Sequence, residues 1–337
     1  MIGNAYRIDI ARGLHGLRKT SEPDPTPGPG QILIAIRAAS LNYRDILVAE
    51  GRYGRMTSGD LVPLSDGSGD VVAVGEGVTR FKIGDRVMPG FSSTWVAGSP
   101  TPQDLAATLG SPLVDGVLRR LFVCNADKAV AVPASLSHEE AACLPCAGVT
   151  AWNALYGHRP VRAGDTVLTL GLGGVSCFAI QLAKAAGARV ISTSSSDQKL
   201  KIAKVLGAAD LINYSDRPDW DRAVLDLTHG RGVDHVIEVG GGGTLEQSIA
   251  STAVNGHIHM IGVLTDGQVN PRSLIAWRTL RGVTVGSSAD LAALCRMVEA
   301  NSLKPMIDKV FDFDDAPAAY QHLREAGHVG KVVVRIS

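Results

Sequence analysis

Apolar positions in this chain come in short runs, and the spacing of those runs changes twice. Up to about residue 128 they sit between turns. Gln31 to Ala38 reads as a strand after the Pro/Gly-rich segment from Pro23 to Gly30, Asp70 to Val74 as another before Gly75 and Gly77, and Ile83 to Met88 as a third. This part is mostly β. Ser137 with Glu140 three positions on then forms a capping-box pattern, opening a helix that Pro145 must bend or interrupt before Trp152. Strands and helices alternate from there, with strands predicted at 166–170, 189–193, 211–213, 235–239, 257–263 and 283–286 and helices at 174–186, 198–206, 219–227 and 244–254. Six strands separated mainly by helices predict an α/β fold, a doubly wound parallel sheet with right-handed crossovers. From about Ser288 the pattern gives a helix ending near Asn301, a strand at 309–313, a helix at 316–326 and a strand at 331–336.

Composition narrows the function. A chain of 337 residues exceeds the size at which one hydrophobic core stops growing, so two domains are expected. Lys plus Arg equals Asp plus Glu, 33 each, and no basic stripe is visible, which argues against a nucleic-acid partner. No apolar run has the length of a bilayer span and the first ten residues lack a signal-peptide core, so a cytoplasmic protein acting on a small molecule is expected. The five cysteines are odd in number and spread among apolar neighbours, as reduced core thiols are. Cys143 and Cys146 form a C-x-x-C without a second pair and read as buried helix thiols.

The chemistry concentrates in "TLGLGGVSCFAIQLAKAAGARVISTSSS", residues 169 to 196. Between a strand and a helix, Gly171 and Gly173 supply a tight turn and backbone clearance for a pyrophosphate. The amides opening the helix from Gly174 and Val175 offer donors and a positive dipole end. Ser176 takes the usual third glycine's place. An NAD site puts a carboxylate about 20 residues on. Here that count from Gly173 reaches Thr193, then Ser194, Ser195 and Ser196, with Lys199 in the next helical turn. Uncharged donors and one cation suit an extra 2′-phosphate. The competing reading makes the serines loop and helix cap and Lys199 a solvated lysine. Asp197 fits best as a cap or first-turn acid of the next helix.

The segments "GDTVLTLGLGGVSCFAIQLAKAAGARVI", "LGAADLINY", "GVDHVIEVGG" and "HIHMIGV", with "AVGEGVTRFKIGDRV" (73–87) ahead of them, occur in one order. The chain thereby resembles the medium-chain dehydrogenase/reductase superfamily. The resemblance implies a GroES-like, mostly-β catalytic domain split between residues 1–128 and 288–337, and a Rossmann cofactor domain over 129–287. Zinc-dependent members hold the metal with three side chains. Cys146 in "LPCAGVTAW" matches the last of those positions, but the first holds Asn42 in "SLNYRD" and the second reads "LSDGSG", with Ser65 and Asp66. One soft ligand of three is too few. The segment between Met88 and Val117, where relatives carry a cysteine-rich structural-zinc lobe, has no cysteine. The expected enzyme is metal-free and resembles the zinc-free, quinone-oxidoreductase-like branch.

That branch implies Asn42 and Tyr53 as catalytic residues. It places the 2′-phosphate near Ser195, Lys199 and Tyr214, and hence implies NADPH as cofactor. Thr150 matches a residue beside the nicotinamide, and Gly240 and Gly262 at two strand ends are expected to border it. The segment "RGVTVGS" (281–287) resembles an edge strand that pairs between subunits, implying a homodimer. Without zinc, an amide such as Asn42 or a phenol such as Tyr53 must stabilise a developing oxyanion, and an α,β-unsaturated ketone, aldehyde or quinone is the best acceptor class. The competing readings are a helix cap for Asn42 and a loop tyrosine for Tyr53. Asp45 is read as ordering the loop. Trp95 and Trp277 read as pocket, core or interface. An alcohol dehydrogenase or aldehyde reductase of the same superfamily, and a non-catalytic NADPH-binding protein, stay open.

Overall fold

The structure is a computed structural model that describes residues 3–53 and 59–336. Two compact units make it up, Met1–Val149 with Gly286–Ser337 and Thr150–Val285.

The first unit begins with β1 (Ala5–Asp9), β2 (Leu17–Thr20), β3 (Gln31–Leu41), α1 (Tyr43–Ala49) and β4 (Asp60–Leu61). It continues with β5 (Asp66–Val74), β6 (Arg86–Pro89), α2 (Pro102–Ala106), β7 (Leu121–Asn125), β8 (Ala129–Ala131) and α3 (His138–Ala141). α3 opens as its pattern predicts, with Ser137 Oγ accepting the Glu140 amide and the Glu140 carboxylate accepting the Ser137 amide. Pro145 has no N–H to give, and the chain passes through a π turn at Leu144–Gly148 before α4 (Val149–Tyr156).

In the second unit α4 leads into β9 (Thr166–Leu170), α5 (Gly174–Ala185), β10 (Arg189–Ser194), α6 (Asp197–Leu206) and β11 (Asp210–Asn213). α7 (Trp220–Leu227), β12 (Val233–Glu238), α8 (Gly242–Ala250), β13 (Thr252–Met260) and β14 (Thr279–Gly282) complete it. The six strands are all parallel in the order β11-β10-β9-β12-β13-β14, the order of a dinucleotide-binding sheet with its switch point beside β9. β9 and β12 are buried at every position, which is why they read as continuous runs rather than as alternation. Leu168, Ile191, Val236 and Ile258 centre the core of this unit.

The chain returns to the first unit with α9 (Ser288–Asn301), β15 (Ile307–Asp312), α10 (Ala316–Arg324) and β16 (Lys331–Arg335). β16 pairs antiparallel with β3, so the last strand lies beside the start of α1: Val332 stands opposite Leu41. The larger sheet runs β15-β16-β3-β5-β6-β8 with β7 also on β3, and a smaller one runs β2-β1-β4. Ile32, Ile34, Leu41, Val332 and Tyr320 lie in one buried core.

Several boundaries differ from expectation; the strand expected over 257–263, for example, is Thr252–Met260. The segment 283–286 is not a strand. The edge strand is Thr279–Gly282, because beyond it Thr150 and Asn153 of α4 take the carbonyls of Thr284 and Val285. The edge segment expected over 281–287 is therefore strand only at its first two residues. The helix expected over 244–254 runs Gly242–Ala250, since the Ser251 and Thr252 hydroxyls bond the Ser248 carbonyl and end it. The units divide at 149/150 and 285/286, whereas the expected domain boundaries were 128/129 and 287/288. α3 belongs with the first unit, where Ser40 donates to the Ala142 carbonyl at 2.8 Å.

Candidate active site

In the second unit, β9 ends at Leu170 and the chain turns through Gly171, whose φ of 63° lies in the left-handed region that favours glycine. Its amide bonds the Thr193 carbonyl at 2.9 Å, tying the turn to the end of β10. Gly173 is the N-cap of α5. A Cβ at Gly171 or Gly173 meets no protein atom within 4 Å, so side chains there would fill open space rather than clash. The first-turn amides of Gly174 and Val175, next in the chain, have no partner within their own helix. Ser176 does the third glycine's work differently, donating to the Leu170 carbonyl at 2.8 Å and closing helix onto strand. This cradle fits a dinucleotide pyrophosphate.

The hydroxyl run lies at the C-terminal ends of neighbouring strands, with Ser194 in register with Asn213. Ser194 is 3% exposed; its Oγ accepts the Ser196 amide and its carbonyl accepts the Tyr214 amide. Ser195 and Tyr214 are exposed, and Lys199 is half-buried one turn into α6. Ser196 caps α6 by accepting the Lys199 amide. Asp197 accepts from Asn213 Nδ2 at 2.8 Å in the helix's first turn. The run thus divides into a cap, a buried strut and one exposed hydroxyl.

Gly240 and Gly262 both sit where a side chain would crowd a neighbour. A Cβ on Gly262 would lie 1.8 Å from the Val239 carbonyl oxygen, and one on Gly240 would lie 2.5 Å from Thr244 Oγ1. Glu238, fully buried, gathers the turn by accepting from the Gly240 and Gly241 amides, Thr244 Oγ1 and Ser248 Oγ. Its position in "VIEVGG" gave no hint of that. Thr150 is 1% exposed and donates to the Thr284 carbonyl at 3.3 Å.

In the first unit a polar cluster forms where β3 hands over to α1. Asn42 is the N-cap residue of α1, yet the reciprocal bonds there run through backbone and Asp45. The Asp45 amide donates to the Asn42 carbonyl, and Asp45 Oδ2 accepts the Asn42 amide at 2.7 Å. The Asn42 side chain is used elsewhere: Lys331 Nζ donates to its Oδ1 at 2.6 Å and to the Leu41 carbonyl. Its Nδ2 is buried beside Asp66, within hydrogen-bond distance of no described residue. Lys331, the first residue of β16, is 3% exposed and lies 4.0 Å from Asp66 Oδ2. Asp66 is fully buried and accepts from Ser65 Oγ at 2.7 Å and from the Cys146 amide at 3.2 Å. Burial raises its pKa above the ordinary carboxylate value, against the pull of Lys331, Ser65 and the nearby Asn42 amide.

Beside this cluster, the Arg44 guanidinium lies between the rings of Tyr53 and Phe91, 4.7 and 4.9 Å from their centroids, and bonds the Leu109 carbonyl. Burial opposes its charge, but Asp45 at 3.5 Å and Tyr53 outweigh that. Asp45 itself is pushed up to about 6, by burial first, with Arg44 and the Asn42 amide pulling it back. Among the described residues its Oδ1 has no hydrogen-bond partner beyond that ion pair. Trp95 is buried, its indole donating to Gly98, and Trp277 is 79% exposed. Lys331, Arg44 and Glu238 went unread in the sequence, since their meaning depends on strands brought together from far along the chain.

The first unit matches the alcohol dehydrogenase GroES-like domain family over residues 28–134, and the zinc-binding dehydrogenase family matches residues 174–300. A zinc-type alcohol dehydrogenase-like protein of Schizosaccharomyces pombe is 44% identical over 91% of both chains. The chain belongs to the medium-chain dehydrogenase/reductase superfamily. A solved NAD-dependent alcohol dehydrogenase is 32% identical with a TM-score of 0.89, covering 98% of this chain and 100% of that one. The quinone oxidoreductase of Rattus norvegicus is 27% identical over 92% of this chain and 90% of its own. This chain is an oxidoreductase of that superfamily.

The zinc that the family's description implies does not fit the residues here. A zinc ion needs deprotonated ligands. Cys146 has its pKa raised by burial and by Asp66, Asn42 offers an amide, and Asp66 already faces the Lys331 ammonium. Among the described residues no group of three His, Cys, Asp or Glu side chains is arranged to hold a metal, and no helix is long and apolar enough to cross a membrane.

Proposed function

We propose that this chain is an NADPH-dependent, metal-free reductase of activated acceptors, an α,β-unsaturated ketone or aldehyde or a quinone. The observation that carries the reading is the buried Nδ2 of Asn42, which lies beside Asp66 yet within hydrogen-bond distance of no described residue. Leaving a buried donor unsatisfied costs about 1–3 kcal/mol, a cost that makes sense where a ligand oxygen completes the bond. Developing negative charge on a carbonyl oxygen is the natural recipient, and Tyr53 is the second donor proposed for it. Asp45 holds Asn42's backbone and does not carry the proton.

A bound nicotinamide supplies the reducing equivalent. The chain's own part is to seat the pyrophosphate over Gly171, Gly173, Gly174 and Val175, and to receive the 2′-phosphate with Ser195, Lys199 and Tyr214. Asp197, bonded to Asn213, opens α6 instead of gripping a ribose. The buried Ser194 braces the strand end, and Thr150, Gly240 and Gly262 shape the nicotinamide side through backbone and packing. The NAD-dependent relative makes the cofactor the sharper question. Lys199→Ala with Ser195→Ala should weaken NADPH binding about tenfold or more and leave NADH within about twofold, by fluorescence titration. Chelator-treated protein should oxidise NADPH with an enone and fail with its saturated counterpart. Turnover of the saturated carbonyl alone would assign the chain to carbonyl reduction instead.

A further inference from the structure

Asn42 raises a question of orientation, because an amide can present either its oxygen or its nitrogen. A lysine ammonium has donors only, so the atom it touches must be the oxygen. Lys331 touches Oδ1 at 2.6 Å and is itself fixed by the Leu41 carbonyl, the residue just before Asn42. The opposite end of the amide, Nδ2, is then the donor; it stands beside Asp66 but reaches hydrogen-bond distance of no described residue, so an N–H remains to give. The same ammonium stands near all three segments that the resemblance matches to metal-ligand positions of zinc-dependent relatives: it bonds Asn42, lies 4.0 Å from Asp66, which follows Ser65, and its charge reaches Cys146.

We infer that Lys331 is a positioning residue, a built-in cation that stands in a metal's place and turns the Asn42 amide so that Nδ2 faces the acceptor's oxygen. This rests on the proposed reductase function for its consequence, but not for its geometry. The charge needs no recruitment from solvent. β16 delivers it, and Asp66 balances it while standing beside the nitrogen end of the Asn42 amide. The cation acts through the amide: it fixes which end points outward, and by bonding Oδ1 it polarises the N–H groups that donate to an oxyanion.

Two experiments test this. In steady-state kinetics with an enone and NADPH, Asn42→Ala should lower kcat on the order of 100-fold, the usual loss for one oxyanion donor. Lys331→Met should fall by a similar factor, with the KM for NADPH unchanged, and Asn42→Ala/Lys331→Met should be no worse than about threefold below either single variant. Lys331→Arg should recover part of the loss. Should Lys331→Met fail to fold, Lys331→Met/Asp66→Asn removes both charges together, and its melting temperature and nucleotide binding report a folded protein. Wild-type kcat in a folded Lys331 variant, or losses that multiply in the double variant, would overturn the inference. If the wild type reduces no enone, the functional reading fails and metal binding decides. With N42C/D66H, zinc affinity measured by competition with a chelator should rise at least tenfold when K331M is added. Equal affinity with and without Lys331 would show that the ammonium does not occupy the metal's place.

Discussion

Each unit buries a polar cluster, and the two are built on opposite principles. Around Asn42 the first unit buries a charge, the Lys331 ammonium, pairs it with Asp66, and leaves one donor open. The second unit buries imidazoles and keeps charge off them. Arg159 donates to His235 Nε2, so that nitrogen is an acceptor; Nδ1 then carries the proton and donates to His259 Nε2 at 3.0 Å. The rings of His235 and His259 stack with centroids 5.3 Å apart, and His257 stacks on both. Asp165 and Asp234 neutralise Arg159 from outside. The run of donors and acceptors is directed one way from Arg159 through His235 to His259. The first arrangement stores a charge and directs a donor, as a site for a ligand does. The second keeps its imidazoles neutral, and its directed run ends on a His259 Nδ1 proton with no partner among the described residues.

Removing the counter-charge strikes the first cluster hardest. Asp66→Ala leaves a buried ammonium facing only neutral acceptors, and breaking a buried pair this way costs roughly 3–5 kcal/mol. Urea unfolding at pH 7.5 should show that loss, and Asp66→Asn/Lys331→Met should restore most of it, since burying neither charge is cheaper than burying one. A single variant as stable as the wild type would mean that Leu41 and Asn42 alone solvate the ammonium and that the pairing with Asp66 is incidental.

Acid should strike the second cluster instead. In the unfolded chain these histidines take up protons near 6.5. In the folded protein burial, then the charge of Arg159, lowers His235 to about 4, and burial with its histidine neighbours holds His259 well below 6.5. The unfolded state therefore binds more protons below about 6.5, so this part of the stability is whole above that pH and drains as pH falls toward 4. His235 alone should withdraw about 2 kcal/mol between pH 7.5 and 5, and His235→Gln should flatten that part of the slope in urea unfolding at the two pH values. An equally steep slope in the variant would place the acid sensitivity elsewhere.

The sequence carried these two clusters unequally. The nucleotide half was legible because its parts are local: a strand, a glycine turn, a helix and a hydroxyl run lie within 28 consecutive residues, and local order sets their geometry. Asn42 could be singled out only through the resemblance, and its competing reading as a cap was reasonable, for it does stand at the N-cap of α1. What decides its side chain is Lys331, 289 positions away in a strand whose alternation looks like any other. The histidines were illegible for the same reason. His235, His257 and His259 lie on adjacent parallel strands, and only the register that sets His235 beside His257 and Ile237 beside His259 turns them into a stack. Periodicity finds strands; it does not say which residues of distant strands will touch.

The smallest expected effect separates charge from burial within the histidine cluster. Arg159 lowers the pKa of His235 in two ways, by occupying Nε2 as a donor and by repelling a second positive charge. Arg159→Met removes both and leaves the ring buried between β9 and β13. The side chain's ion pair with Asp165 is partly solvated and should cost little to lose. His235 should then titrate higher, moving from about 4 toward 6.5 in a histidine NMR titration, and about 1 kcal/mol of the acid-driven loss should disappear with it. Enone turnover should be unchanged, since Arg159 bonds nothing in the Asn42 cluster. If His235 does not move, desolvation alone keeps the proton away and the directed chain from Arg159 is a consequence of the neutral stack, not its cause. A titration that moves while turnover holds would establish that the two clusters are independent devices, one holding a charge in place and the other holding it out.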